Sequence, residues 1–313
     1  MSNATWTVPE QAHLLYLVQQ GKEPIECWQI FQDEGIDRTQ KAIQRRIESQ
    51  RKKAPDVWRA TIDSAPAHYR KLEQAMCVEA ERSLILFDAH APRHDAVWMN
   101  RVVSLALRWG VTDCILGGDL IDWDALSYFG SAMETDATEE LACTEQILDA
   151  LLSSFEVWYI NGNHEDRIKR LLGHKLPATA LMRLYQPLRR TDKIHLSNLY
   201  WCELVSAGQS FYVEHPQNTS VVATRVGQAI AAKYHKHVIM GHNHLWGMTK
   251  DVSGDYLAIE GGICADPQRI PYSVVRHNTR PAMCQGAVMV IDGQPWLLAP
   301  DNIEAFESLA LAA

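Results

Sequence analysis

The chain contains 313 residues, of which 47% are hydrophobic and 22% are charged. This composition is typical of globular proteins and excludes collagen-like, mucin-like and wholly disordered chains. The formal net charge of −8 argues against a protein that coats nucleic acid through bulk charge, although it leaves room for a local basic patch.

Targeting signals and cysteine usage bear on where the protein works. The sequence has no apolar run of about 18 residues and no secretory signal, so we expect no membrane partner. The seven cysteines are scattered, their number is odd, and no pair has C-x-x-C spacing. Reduced thiols in a cytoplasmic protein are therefore the expected state.

Three short helices are predicted in residues 1–53. Thr7 and Glu10 have the spacing of a capping box at the start of the first helix. A second helix is predicted over about residues 24–32, and a third begins near Thr39. A turn before a basic third helix is typical of helix-turn-helix modules.

The third helix carries a local basic patch, because residues 38–53 hold seven basic side chains and only one acidic side chain. Together with Trp6, the run Arg38-Thr39-Gln40-Lys41-Ala42 resembles Myb/SANT-like helix-turn-helix modules. That resemblance implies salt-dependent DNA binding. The residues expected to face the groove are Gln40, Lys41, Gln44 and Arg45, and those expected to meet phosphates are Arg46, Arg51, Lys52 and Lys53. A protein-interaction surface and a purely structural helix face are the alternatives.

Residues 54–82 are predicted to form a helical connector, and the hydrophobic pattern of the sequence changes at Leu84. Short apolar runs of β type then alternate with amphipathic segments, which predicts an α/β fold in which helices sandwich a sheet. The predicted strands are residues 84–87, 114–116, 157–160, 211–213 and 238–240.

Each of these apolar runs ends in polar residues of one chemical kind. The five segments are Asp88-Ala89-His90, residues 117–122, Gly162-Asn163-His164-Glu165, Glu214-His215 and Gly241-His242-Asn243-His244. Open α/β folds build their sites at strand carboxyl ends. Asp, Asn and His suit Mn²⁺, Fe or Zn²⁺ better than a thiolate site would. Seven such side chains, one of them a shared carboxylate, would make two four-ligand sets. These sets would hold two metal ions roughly 3.5–4 Å apart.

The ordered blocks D-x-H, G-D-x-x-D, G-N-H-[DE], H and G-H-x-H resemble the calcineurin-like metallophosphoesterase superfamily over about residues 84–292. The resemblance implies a four-layer α/β/β/α sandwich in residues 83–313 and two divalent ions, with Mn²⁺ first and Fe or Zn²⁺ as alternatives. It also implies in-line attack by a metal-bridging hydroxide. The implied ligands are Asp88, His90 and His244 for one metal, Asn163, His215 and His242 for the other, and Asp119 for both. By the same resemblance, His164 protonates the leaving oxygen and Asp122 orients His164.

The sequence departs from the family pattern in two places. His215 is followed by Pro216 rather than by Gly, so His195 competes with His215 as the fourth-block ligand. Trp123 and Asn161 occupy positions where phosphoprotein phosphatases of the superfamily carry Arg, which argues against that activity. Residues 117–129 and 162–168 look like phage and prophage members, which would place the protein in the host cytoplasm.

Other residues have two interpretations each. Trp123, Tyr128 and Trp246 either frame a substrate pocket or belong to the core. Beyond the last block, basic and aromatic side chains either bind substrate phosphate or are solvated loop charges. They are Arg269, Arg276 and Arg280, with Tyr272 and His277 nearby.

Three functions follow from these patterns. The first is a phosphodiesterase or nuclease that acts on DNA, because a candidate DNA-binding module accompanies candidate phosphoester chemistry. The second is a phosphatase or cyclic-nucleotide phosphodiesterase for a small molecule. Residues 83–313 hold 18 basic and 26 acidic side chains, which favours a compact pocket over a basic channel. The third is a DNA-binding protein with a non-catalytic metal fold.

Overall fold

The computed structural model describes residues 6–54, 74–127, 136–173, 175–187, 191–270 and 282–312. The chain divides into two units, Met1–Leu72 and Glu73–Ala313. The second unit thus begins ten residues before the predicted boundary at residue 83. Among the described helices, none has the length and apolar character needed to cross a bilayer.

The first unit contains the three predicted helices, α1 (Val8–Gln19), α2 (Pro24–Asp33) and α3 (Gln40–Lys53). The predicted capping box is confirmed, because the Thr7 side chain accepts from the Glu10 backbone and Glu10 accepts from the Thr7 backbone. The helices enclose a small apolar core of Leu14, Leu17, Val18, Cys27, Phe31, Ile43 and Ile47.

The second unit is built on two six-stranded sheets. In chain order the described strands are β1 (Cys77–Glu79), β2 (Arg82–Leu86), β3 (Asp113–Leu116), β4 (Glu156–Tyr159), β5 (Ile194–Leu196), β6 (Trp201–Ser206), β7 (Gln209–Glu214), β8 (His237–Met240), β9 (Trp246–Lys250), β10 (Leu257–Gly261), β11 (Ala287–Ile291) and β12 (Gln294–Leu298). The first sheet has the strand order β12-β11-β2-β3-β4-β5, and the second sheet has the order β1-β6-β7-β8-β10-β9.

The connector prediction is wrong at its carboxyl end. Cys77–Glu79 is a strand that pairs in parallel with β6, and Arg82 already belongs to β2. Val78 is fully buried between two exposed neighbours, and it packs into the core between the sheets. This burial outweighs the loose helical spacing on which the prediction rested. The rest of the predicted connector, residues 55–73, lies outside the described residues.

Helices cover the outer faces of both sheets. They are α4 (Ala96–Arg108), α5 (Ala137–Leu152), α6 (Glu165–Leu171), α7 (Ala178–Met182), α8 (Arg225–Tyr234) and α9 (Ile303–Ala312). The Asp95 side chain caps α4 by accepting from the backbone of Val97 and Trp98, at 3.0 Å each. Trp98, Val102 and Leu105 are therefore directed onto the first sheet at helical spacing.

The apolar clusters establish the layer order. One cluster lies between the sheets and contains Phe87, Ile115 and Ile239 from three strands or strand ends. A second joins the first sheet to α4 and α5, and a third joins α8 to β8 on the far side. The α/β/β/α sandwich predicted from the resemblance is confirmed in these contacts.

Parallel pairing brings the important strand ends together. In the first sheet β2, β3 and β4 run parallel, and in the second sheet β7 and β8 do so. Since the carboxyl ends of parallel strands share one edge, the loops that follow them meet there. A Cβ at Gly241, which follows β8 of the second sheet, would lie 2.5 Å from the ring of Phe87, which follows β2 of the first, so the sheets approach closely near this edge.

Candidate metal centre

Among the described residues, three groups of potential ligands lie at this common edge, all of them buried except the half-buried His242. Ligand atoms of Asp88, His90 and His244 lie within 4.8 Å of one another, and so do those of Asp119, His215 and His242. The first group joins β2 to β8 and the second joins β3, β7 and β8. The third group, His90, Asp122 and His164, shares one histidine with the first.

In the first group, the Nε2 atoms of His90 and His244 face each other at 3.2 Å. Asp88 Oδ1 lies 3.3 Å from His244 Nε2 and 3.8 Å from His90 Nε2. Asp88 Oδ1 is buried without a hydrogen-bond partner. Buried polar atoms are normally satisfied, so this unsatisfied carboxylate oxygen fits a site that takes a cation. His90 Nδ1 lies on the other side of the ring, 3.4 Å from Asp122 Oδ1.

In the second group, His215 Nε2 lies 3.3 Å from Asp119 Oδ2 and 3.1 Å from Asn163 Oδ1. His215 Nδ1 lies 2.9 Å from the Gly117 carbonyl. Because a carbonyl only accepts, Nδ1 donates there and Nε2 is directed at Asp119. This second contact on the ring is the arrangement typical of metal-ligating histidines.

Two contacts join the groups. The His242 backbone N–H donates to Asp88 Oδ2 at 2.9 Å, and Asp119 Oδ1 accepts from the His164 backbone N–H at 2.8 Å. The structure thus brings the loops that carry all seven sequence-predicted ligands to one place. In the groups found among the described residues the donors are imidazole and carboxylate, with no thiolate. This set fits Mn²⁺, Fe or Zn²⁺.

His195, the competitor of His215, lies elsewhere. It belongs to β5, where its ring stacks on Trp158 at a centroid distance of 4.0 Å. Its Nε2 lies 2.6 Å from Glu156 Oε1. His195 belongs to none of the three groups among the described residues, which favours His215 as the histidine of the fourth block.

Backbone strain is concentrated in the same loops. Five potential ligands have positive φ, a region that residues other than Gly rarely adopt: Asp88, His90, Asp119, His242 and His244. A Cβ at Gly162 would lie 2.3 Å from Asp119 Oδ1, so the loop after β4 approaches this carboxylate too closely for any side chain. Strain of this kind persists where the surrounding structure enforces it, most often at functional sites.

Mutual electrostatics set the charge of the centre. Burial raises the pKa of Asp88 and Asp119, but the imidazoles of His244 and His215 pull it below the ordinary value for both carboxyls. Burial lowers the pKa of His215, yet the carboxylate of Asp119 raises it to about 10. The pKa of His90 falls to about 3 because burial disfavours the charged ring. Two ionised carboxylates therefore attract positive charge to this edge.

Asp122 and His164 form the predicted pair. His164 Nδ1 lies 2.8 Å from Asp122 Oδ1 and 2.7 Å from the Asp122 carbonyl. The other nitrogen, Nε2, lies 3.8 Å from Asp119 Oδ2 and so faces the candidate metal centre. Burial lowers the pKa of His164 to about 3, with Arg167 acting in the same direction against Asp119.

Sequence reasoning missed the residues that hold this pair. Arg93 is buried and contacts Asp122 Oδ2, while its Nη2 lies 3.1 Å from Asp124 Oδ2. Glu140 accepts from the Asp124 backbone N–H at 2.8 Å. Arg167 contacts the pair from the other side. A single arginine in a loop has no periodic pattern, so the sequence offered no signal for these contacts.

Glu165 was also missed, although it belongs to a predicted motif. Its carboxyl accepts from the backbone N–H groups of Asp119 and Leu120 at 3.0 and 2.9 Å, and from Tyr159 Oη at 2.6 Å. Burial, followed by the charge of Asp119, raises the pKa of Glu165 to about 7. Glu165 thus fixes the strained turn that presents Asp119.

The predicted pocket and phosphate residues have mixed outcomes. Trp123 is buried and packs near Tyr185, which confirms its core interpretation. Trp246 is half-buried, and its Nε1 donates to the Leu298 carbonyl. Arg269 is exposed and its charge lowers the pKa of His94, after burial as the larger cause. Tyr128, Tyr272, Arg276, His277 and Arg280 lie outside the described residues.

The predicted DNA contacts divide into two sets on α3. Arg46 turns inward, contacts Gln11 and lies over the Trp6 ring at 5.7 Å. Gln44 donates to Glu48 at 3.2 Å and remains exposed. The other predicted contacts are exposed: Gln40, Lys41, Arg45, Arg51, Lys52 and Lys53.

Comparison with known proteins gives remote structural likenesses. No family model matches the chain, and no curated protein does so. The phosphoesterase YfcE from E. coli is 12% identical, with 70% of this chain and 98% of that chain covered and a TM-score of 0.37. Zn²⁺-complexed Vps29 from Entamoeba histolytica is 12% identical, with coverage of 69% and 97% and a TM-score of 0.35. The Pseudomonas putida nuclease MPE is 16% identical, with coverage of 69% and 87% and a TM-score of 0.31. We therefore infer the function from the residues of the site.

Proposed function

We propose that the second unit is a phosphoester hydrolase that uses two divalent metal ions. The observation that carries this proposal is the pair of ligand groups at the edge where the two sheets meet, which are linked by the hydrogen bond from the His242 backbone to Asp88. Such ions would polarise a phosphoryl oxygen and lower the pKa of a bound water. Mn²⁺ is the first expectation, and Fe and Zn²⁺ are alternatives.

The assignment of individual ligands follows the two groups. Asp88, His90 and His244 would hold one ion, and Asn163, His215 and His242 the other. Asp119 would be shared, because its Oδ2 faces His215 at 3.3 Å and His164 at 3.8 Å. Glu165 would orient Asp119 through the two backbone N–H groups that it accepts from.

His164 is the proposed general acid. Its Nδ1 donates to Asp122, which holds the ring and directs Nε2 toward the reacting group. A departing alkoxide needs a proton, and a positioned imidazole supplies one efficiently. In this proposal His164 takes up a proton from solvent at Nε2 and gives that proton to the leaving oxygen, while Nδ1 keeps its hydrogen toward Asp122 and the ring ends the step neutral.

The experiment compares hydrolysis and metal content in the same preparations. Full-length protein is incubated with Mn²⁺ and offered an aryl phosphate monoester, an aryl phosphate diester, and single- and double-stranded DNA. The matched control is H195Q, which alters a histidine outside the ligand groups. We expect metal-dependent hydrolysis by the wild type and by H195Q. If neither hydrolyses any ester while both bind Mn²⁺, the non-catalytic alternative replaces the proposal.

We further propose DNA as the substrate and partner of the full chain. Support comes from the exposed basic side chains of α3, which include Lys41, Arg45 and Arg51. Phosphate contacts by such residues make DNA binding strongly salt-dependent. Cleavage of DNA that weakens when the first unit, residues 1–72, is removed would support a DNA-directed phosphodiesterase or nuclease. Cleavage of small esters with both kinds of DNA left intact would contradict it.

A small-molecule substrate is the second candidate. The excess of acidic residues in 83–313 favours it, since a long basic channel for a polynucleotide would need the opposite charge. A monoesterase would turn over the aryl monoester far faster than the diester. A cyclic-nucleotide esterase would prefer the diester without cleaving DNA.

A further inference from the structure

Arg167 lies one turn after His164 on α6 and places its guanidinium beside the candidate metal centre. Its Nη1 donates to the Asp122 carbonyl at 2.8 Å, and its Nη2 lies 3.0 Å from His164 Nε2. A guanidinium has no acceptor, so His164 Nε2 must accept this hydrogen bond. The His164 ring therefore carries its hydrogen on Nδ1, where it faces Asp122.

A guanidinium binds the oxygens of carboxylates and phosphates more strongly than it binds uncharged acceptors. The carboxylate of Asp122 is already used by Arg93 on Oδ2 and by His164 on Oδ1. Arg167 Nη1 lies 3.6 Å from Asp122 Oδ1, beyond a good hydrogen bond. An anionic oxygen at the metal centre would therefore compete with His164 Nε2 for the hydrogen bond from Nη2.

Exposure distinguishes the two arginines around Asp122. The side chain of Arg93 is 5% exposed and lies between the carboxylates of Asp122 and Asp124. The side chain of Arg167 is 20% exposed, so an incoming ligand can reach it. Its Nη2 contacts the very atom, His164 Nε2, that faces Asp119.

We propose that Arg167 is a catalytic residue that binds a non-bridging oxygen of the substrate phosphoryl group. The inference rests on the proposed function. A phosphoester at the metal centre presents anionic oxygens, which are better acceptors for Nη2 than an imidazole nitrogen is. When Nη2 turns to such an oxygen, His164 Nε2 loses its donor and becomes able to take up the proton that it later gives to the leaving oxygen. No bond other than these hydrogen bonds changes in this step.

The test uses full-length, Mn²⁺-loaded R167Q and R167K, with R170Q as the matched control on the same helix. Arg170 is exposed and lies three residues further along α6. Inorganic phosphate binding is measured by isothermal titration calorimetry, metal content by elemental analysis, and kcat and KM with the best ester. We expect R167Q to bind phosphate about tenfold more weakly than R170Q, the usual effect of removing a charge-assisted hydrogen bond. R167K should lie between them, because Lys keeps the charge without the fork.

Equal phosphate affinity in R167Q and R170Q would overturn the inference, and a lower kcat alone would make Arg167 a positioning residue for His164. If R167Q binds less metal than R170Q, the comparison is made with R167K instead. A phosphate affinity of R167K equal to that of R170Q would then overturn the inference. Phosphate titration does not depend on turnover. A wild-type protein that hydrolyses no ester therefore counts against the proposed function, and the calorimetry still tests Arg167.

Discussion

The candidate metal centre and the basic face of α3 were both predicted from sequence, but they differ in how their residues are held. At the centre, Asp119 is fixed by Gly162, by Glu165 and by the His164 backbone. On α3, Lys41 and Arg45 are exposed. The centre is a set of interlocked buried contacts, whereas the face is a sum of separate charges. A single substitution should therefore abolish the function of the first and only weaken that of the second.

The largest effect is expected for D119N. This change removes the carboxylate charge that both proposed ligand sets share, so metal affinity and turnover should fall together. Loss of several kcal/mol of transition-state stabilisation corresponds to roughly a thousandfold lower kcat/KM. Metal content and hydrolysis of an aryl ester check this, with H195Q as the matched control. A D119N protein that keeps both metal and activity would refute a shared role for Asp119.

The second largest effect is expected when Arg93 is replaced, and it should appear as a lower free energy of unfolding. R93M removes the buried guanidinium that lies between the carboxylates of Asp122 and Asp124. Breaking such a buried pair costs about 3–5 kcal/mol of unfolding free energy. Chemical denaturation of R93M is compared with that of R101M, which removes a more exposed pair with Glu307. Similar losses in the two variants would mean that the Arg93 network is not a stabilising element.

His164→Ala should lower the rate according to the leaving group. The rate of hydrolysis of esters with poor leaving groups should fall roughly 10²–10⁴-fold, because a positioned general acid contributes that much to the rate. Activated aryl esters need less protonation and should lose far less, while metal content stays unchanged. Rates measured over a series of leaving-group pKa values check this. Equal losses across the series would argue that His164 has another role.

The smallest single effects are expected on α3. Replacement of Lys41 alone by Gln should weaken DNA binding slightly, and a variant with Gln at Lys41, Arg45, Arg51, Lys52 and Lys53 should reduce the salt dependence of binding. The slope of log K against log salt changes by about 0.9 for each B-DNA phosphate that the protein no longer neutralises. E48Q on the same helix is the control. An unchanged slope in the combined variant would point to a protein-interaction or structural face.

The same contrast explains how far sequence reasoning reached. Asp88, Asp119, His215 and His242 were predicted because each lies in a motif at the end of an apolar run and the order of these motifs resembles that of a known superfamily. The parallel registers of β2, β3, β7 and β8 then bring those strand ends together. The three helices of the first unit were predicted from capping and spacing, which are local properties.

Residues that act through tertiary contacts were not predictable. Arg93 reaches Asp122 across 29 positions of sequence and Tyr159 reaches Glu165 within a closed core. No periodicity marks such partners, because their roles depend on how loops pack after the sheets have formed. The short strand β1 was not predicted for a related reason, since its three residues gain their stability from β6 and from the core between the sheets.

The central claim is that two metal ions bind at the shared edge of the sheets. Its most direct test is a crystal structure of the Mn²⁺-soaked full-length protein, with anomalous scattering recorded at the manganese edge. We expect two peaks roughly 3.5–4 Å apart, one beside Asp88, His90 and His244 and one beside His215 and His242, with Asp119 between them. A single peak, or peaks away from these residues, would contradict the claim.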